Sequence, residues 1–187
     1  MTKPLRLGIA GLGTVGIGVI KILQNKKSLL QERTGRQISI SAVTAKSKTK
    51  KRGLDLSLYH WEEDPVALAK RDDVDVFIEL IGGHKGVAKE AVEIAIKNGK
   101  DVITANKALL AHHGHELALK AEKNGSVLRF EAAVAGGIPV IKSLTEGLAG
   151  NSINRVMGVM NGTCNYILTR MESSGLNYEE VFSEANK

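Results

Sequence analysis

Leu5-Arg6-Leu7-Gly8-Ile9-Ala10-Gly11-Leu12-Gly13-Thr14-Val15-Gly16 is the stretch that decides the fold. An apolar strand runs into a G-x-G-x-x-G turn, and Val15, Val19, Ile22 and Leu23 follow at helical spacing. In such a turn the first glycine permits the tight bend. The second lets the backbone approach a pyrophosphate, and the third lets the helix pack closely on its strand. The helix start adds unpaired N–H groups and a partial positive charge, both suited to phosphate. The bland alternative is a glycine-rich strand-to-helix turn that only packs.

Working outward, Ile38 to Thr44 alternates apolar and small residues as a second strand, and Gly35 ends the helix that frays before it. A dinucleotide fold commonly ends this strand in an acid that holds the ribose 2′-hydroxyl. This chain instead has Lys46, Lys48, Lys50, Lys51 and Arg52. These suit the 2′-phosphate of NADP better than NAD, or else form a solvated basic loop. Leu54 to Asp73 is a weakly patterned connection with a short helix after Pro65. Val74 to Leu80 reads as a buried parallel strand ending in Ile81-Gly82-Gly83-His84, where glycines let a ligand reach the backbone.

Val87, Ala91, Ile94 and Ala95 mark the next helix, closed by Asn98-Gly99. Val102-Ile103 is a short strand followed by Thr104-Ala105-Asn106-Lys107. Leu110, Leu117 and Ala121 face a further helix, and Val127 to Phe130 forms a strand ending in Glu131. This alternation predicts an α/β fold with a Rossmann-type, doubly wound parallel sheet. The rhythm then changes. A small-residue run, Ala132 to Gly137, leads into a helix from Pro139. Ile153 to Met160 reads as a strand, Asn161-Gly162-Thr163 opens a helix, and Asn177 with Glu180 caps a last one. We divide the chain into a dinucleotide-binding domain, 1–132, and the beginning of an α+β substrate domain, 133–187. No helix stop precedes Lys187, so a longer native chain is expected.

Composition narrows the function. With 187 residues, 43% of them hydrophobic, the chain has enough material for a core, and no apolar run is long enough for a bilayer. The glycine turn interrupts what would otherwise resemble a leader. A single cysteine excludes an internal disulfide and fits a cytoplasmic location. The net charge of +6 is compatible with anionic ligands, but 4% aromatic content argues against base-stacking nucleic-acid binding.

Several residues are chemical candidates. Lys107, at a strand's carboxyl end, can bind phosphate, orient a substrate or supply a proton, or it can be a surface lysine at a helix start. Glu131 beside turning carbonyls can serve a hard cation, or cap a nearby N–H. Asn161-Gly162-Thr163 can hold a polar substrate or the cofactor amide, or provide only a turn and a helix cap. His112 and His115 share a helix face but have no cysteine beside them, and the cluster reads as a poor metal site. His84 reads as a solvent-facing loop residue, and Cys164 as a packed or capping one.

These stretches together resemble the homoserine dehydrogenase family. The resemblance rests on Gly11 to Gly16, Glu79 to Gly83, Thr104 to Leu110, Phe130 to Ile141 and Asn161 to Leu168, in the family's order and spacing. It implies an NAD(P)-dependent oxidoreductase that interconverts L-homoserine and L-aspartate 4-semialdehyde in threonine and methionine biosynthesis, as a homodimer when full length. It also implies that Lys107 is catalytic. Gly11, Leu12, Gly13, Thr14, Val15, Gly16, Lys46, Lys48, Gly82, Thr104, Lys107, Gly162 and Thr163 would contact the cofactor. A structural sodium ion would take Glu131 and the carbonyls of Val134, Gly136 and Ile138. The family's substrate-holding acids and second lysine match nothing in these residues, and His84 stands where members often carry an apolar residue. The competing class is a non-catalytic NAD(P)-binding regulatory or redox-sensing module, which would tolerate loss of Lys107.

Overall fold

The computed structural model describes residues 3–159 and 161–185. Strands β1 (Leu5–Ala10), β2 (Ile38–Thr44), β3 (His60–Trp61), β4 (Val76–Glu79), β5 (Asp101–Thr104) and β6 (Leu128–Arg129) form one sheet in the order β3-β2-β1-β4-β5-β6. Every pairing is parallel. The chain order reverses beside β1, so the carboxyl ends of β1, β2 and β4 flank the crevice where ligands of such sheets bind. The expected α/β doubly wound sheet is therefore present.

Burial on both faces explains the near-continuous apolar strands. Leu7 and Ile9 of β1 and Val76 and Ile78 of β4 pack with Ile20 of helix α1 (Thr14–Asn25). Phe77 points to the other face. There it meets Leu68 of α3 (Pro65–Lys70), Val92 and Ile96 of α4 (Val87–Lys97), and Leu109 and Leu117 of α5 (Lys107–Lys123). After α1 the chain does not merely fray: a distinct helix, α2, spans Lys27–Thr34 and ends at Gly35 in the left-handed region.

Polar ties lock the opposite, amino edge of the sheet. Arg6 donates twice to Asp75, from Nη2 at 2.7 Å and Nε at 3.1 Å, and its backbone N–H adds a third bond at 2.9 Å. The Arg6 hydrogen bonds outweigh partial burial and hold the Asp75 carboxyl at a pKa of about 2. An unfolded aspartate titrates near pH ~4, so the native state binds fewer protons below that pH. The stabilisation is complete above pH ~4 and is lost as pH falls through ~2, amounting to at most about 2 kcal/mol. Melting temperatures measured from pH 5 to pH 2 should fall less steeply in Asp75→Asn than in the parent, and parallel curves would refute this. Lys100, also at this edge and buried, donates to the carbonyls of Arg71 (2.5 Å) and Val74 (2.9 Å).

The chain separates into two compact units, the first through Ser143 and the second from Leu144. The small-residue run forms two 3₁₀ turns, Glu131–Ala133 and Ala135–Gly137, and stays with the first unit, as does the short helix α6 (Val140–Lys142). The second unit contains α7 (Gly162–Ser174) and α8 (Tyr178–Ala185). The strand expected over Ile153 to Met160 is not formed at 153–159, and Met160 lies outside the described residues. Every strand of the described residues belongs to the first unit's sheet, so this segment has no ladder partner for its N–H and C=O groups. Asn177 and Glu180 do form the expected reciprocal cap, with N–H to side-chain bonds of 3.1 and 3.0 Å.

Candidate functional site: a glycine-turn cleft and the adjoining strand ends

The glycine turn divides its labour by geometry. Gly11 has φ +103, and a Cβ there would collide with the Leu80 carbonyl. A Cβ on Gly16 would run into the Gly11 carbonyl oxygen. Both positions are closed by the protein itself. Gly13 differs: nothing lies within 4 Å of where its Cβ would be, and it is the N-cap of α1 without a side-chain cap. The open space and uncapped helix start form a cradle for an anionic group.

A cleft of about 380 Å³ adjoins this cradle, lined among others by Gly11, Leu12, Gly13, Thr44, Lys46 and Arg52. The Thr44 hydroxyl in its wall is buried and has no hydrogen-bond partner among the described residues. An orphaned hydroxyl at the end of β2 is a ready contact for a polar ligand. Sequence patterning missed it, because an alternating strand gives no sign of which hydroxyl ends up unpaired. Arg52 was visible only as part of a basic run. Its guanidinium spans the cleft's edge, donating to the carbonyls of Leu12 (3.2 Å), Lys50 (2.8 Å) and Ser47 (2.6 Å), and lies 5.6 Å from the Trp61 ring centroid. It fastens the basic loop to the glycine turn across 40 residues of sequence. Lys46 and Lys50 line the cleft, whereas Lys48 lines a neighbouring hollow beside His60 and Trp61. Thr14 lines a separate shallow hollow with Leu12 and Gly13. Val15 is 55% exposed and Gly16 is buried.

Two strands along the same edge, Asn106 caps α5 by accepting the Leu109 N–H at 3.1 Å. Lys107 is the exposed first residue of this 17-residue helix. A cation at that position opposes the helix dipole, and the first turn holds no acid to offset it. Thr104 does not face the cleft: it is fully buried and donates its hydroxyl to Glu79 Oε2 at 2.6 Å. Gly82, at φ +86, donates its N–H to Glu79 Oε1 at 3.0 Å.

His84 is half-buried rather than solvent-facing, and its ring stacks on His112 at 4.1 Å between centroids. Partial burial, then the neighbouring His112, Lys85 and His113, push its pKa below the usual histidine value. His112 thus pairs across the fold with His84 rather than along its helix with His115. No group of three or more His, Cys, Asp or Glu side chains among the described residues is arranged for a metal.

Glu131 Oε1 and Oε2 accept the N–H groups of Ile141 (3.1 Å) and Lys142 (2.7 Å). Between them the chain bends through Ala135 and Gly136, with φ of 54 and 50. In the second unit, Gly162 and Thr163 open α7, where Asn161 accepts the Cys164 N–H at 2.9 Å. Cys164 itself is exposed, not packed.

A 3-2-1-4-5-6 parallel sheet, a glycine turn closed at its first and third positions, and an open cradle at the second define a Rossmann-type dinucleotide-binding protein. Residues 11–131 match the family model described as "Homoserine dehydrogenase, NAD binding domain", and residues 139–187 match that described as "Homoserine dehydrogenase". The chain belongs to the homoserine dehydrogenase family. It is 48% identical to the homoserine dehydrogenase of Neisseria gonorrhoeae over 98% of this chain and 42% of that protein. The Pseudomonas aeruginosa enzyme is 44% identical over the same shares. Among solved structures, a homoserine dehydrogenase from Thiobacillus denitrificans superposes with a TM-score of 0.82 at 40% identity, covering 98% of this chain and 42% of the other. The chain thus spans about two fifths of the length of the relatives it matches.

Proposed function

We propose that this chain is the nucleotide-binding portion, with the start of the substrate portion, of an enzyme that interconverts L-homoserine and L-aspartate 4-semialdehyde with NADP(H), NAD(H) being the alternative cofactor. The observation that carries the reading is the family match along both parts of the chain, supported by a cradle open only at Gly13. The orphaned Thr44 hydroxyl and the uncapped start of α1 fit a dinucleotide. Lys46 and Lys50 in the cleft favour a 2′-phosphate, and Arg52 keeps their loop against the turn.

A bound nicotinamide supplies or accepts the hydride. The residues of this chain orient and neutralise. Backbone N–H groups at the start of α1 would hold the diphosphate, and the glycines of the Ile81–Gly83 loop would leave room for the nicotinamide. The Lys107 ammonium hydrogen-bonds the substrate oxygen, which gains negative charge as the aldehyde is reduced, and it can pass that oxygen a proton. Gly162 and Thr163 open α7, and by the family resemblance their first-turn N–H groups would contact the cofactor. Glu131 with the carbonyls of Val134, Gly136 and Ile138 is an all-oxygen donor set suited to a structural sodium ion. The carboxylate lone pairs beyond the two N–H bonds suffice for it. The complete protein acts as a homodimer in the cytoplasm. No helix among the described residues is long and apolar enough to cross a membrane.

The test is an assay of the full-length protein with a panel of hydroxy and aldehyde substrates and both cofactors. Preferred turnover of homoserine and aspartate semialdehyde, with NADP(H) ahead of NAD(H), is expected. Preference for another aldehyde would overturn the assignment.

A further inference from the structure

Glu79 is an acidic residue in the middle of the sheet with no exposed surface. It ends β4, in register with Ala10 of β1 on one side and Thr104 of β5 on the other. Among the described residues its carboxylate is held by N–H and O–H donors rather than by a cation. Oε1 accepts the N–H groups of Ile81 (2.8 Å) and Gly82 (3.0 Å), with Asn106 Nδ2 at 3.5 Å. Oε2 accepts the Thr104 hydroxyl at 2.6 Å.

These bonds form part of a closed ring. The Thr104 hydroxyl, while donating to Glu79, accepts the Asn106 N–H at 3.0 Å. Asn106 Nδ2 donates to the Gly83 carbonyl at 2.6 Å, and its Oδ1 caps α5. One carboxylate therefore fixes two loops against each other: the glycine loop Ile81–Gly83 after β4, and the turn that presents Lys107 after β5. Burying a carboxylate is expensive unless nearly every lone pair is used. An apolar residue would fill this core position at lower cost, but it would leave the Ile81 and Gly82 N–H groups and the Thr104 hydroxyl without this acceptor.

We infer that Glu79 is a positioning residue: through Thr104 and Asn106 it sets the location of the Lys107 ammonium relative to the glycine loop. The inference rests on the proposed role of Lys107. Misplacing a reacting group by about 1 Å costs up to about 100-fold in rate, so the ring should govern turnover more than affinity.

The experiment uses the full-length protein with Glu79→Gln, Thr104→Val, Thr104→Ser and Lys107→Ala. Glu79→Gln keeps an acceptor for Ile81 and Gly82 but turns a donor toward Thr104. Thr104→Val keeps the shape and removes the hydroxyl. Both are expected to lower kcat about 10- to 100-fold, while the NADPH dissociation constant stays within about threefold. Thr104→Ser, which restores the hydroxyl, should recover most of the loss. If Glu79→Gln does not fold, the Thr104 pair decides alone. Parental kcat in the Thr104→Val protein overturns the inference, and so does Thr104→Ser performing no better than Thr104→Val. An indifferent Lys107→Ala would instead overturn the role of Lys107 itself.

Discussion

Lys107→Ala in the full-length protein is expected to lower homoserine turnover by about 10²- to 10⁴-fold, the range usual for loss of a positioned proton donor. Stability should not fall with it. Lys107 is exposed at the first position of α5, and the helix is started by the Asn106 cap, whose bond to Leu109 involves no lysine atom. Alanine is a better helix former, and removing a cation from a helix N-terminus relieves its dipole by a few tenths to about 1 kcal/mol. Steady-state rates, a thermal melt and an NADPH titration on the same protein check this. The expected pattern is a lost rate beside a melting temperature that is unchanged or raised and an affinity that changes far less than the rate. A non-catalytic nucleotide-binding module makes the opposite prediction, since function would survive.

Gly13→Ala and Gly16→Ala should separate binding from folding. A methyl on Gly16 meets the Gly11 carbonyl, so that variant must shift backbone and lose stability, by a few kcal/mol if the turn cannot relax (roughly 1–3). Gly13 sits at φ −81, an ordinary value, with nothing within 4 Å of the added carbon. Gly13→Ala should therefore fold, losing no more than about 1 kcal/mol for the poorer N-cap. The new methyl occupies the space where a diphosphate would approach the backbone. NADPH affinity should drop by about tenfold or more. Fluorescence titration and a melt of each variant read the two effects independently. Parental NADPH affinity in Gly13→Ala would mean that the cradle is not the phosphate site.

Much of this protein could be read along the chain. The spacing of apolar residues gave β1, β2, β4 and β5 with their helices, because each element buries a face dictated by its own period. Capping chemistry was equally local: Asn106, Asn161 and the Asn177–Glu180 pair bond to groups three residues away. Glu131 stood out at a strand end, though its partners, ten and eleven residues on, depended on how the small-residue run bends. The two-residue strand β3 was invisible, since only the edge of β2 makes it a strand.

The contacts that assemble the site span far more sequence. Arg52 reaches Leu12, Glu79 reaches Thr104 and Asn106, and His84 meets His112. Sequence by itself determined the parallel α/β class, the glycine turn and the family. Tertiary structure alone decided that Lys48 lines a different hollow from Lys46, that Thr104 faces Glu79 and not the cleft, and that 153–159 forms no strand. The physical reason is that periodicity and capping are properties of neighbouring residues. Which strand ends converge, and which buried polar atoms must satisfy one another, is fixed only when the sheet order brings distant segments within hydrogen-bond reach.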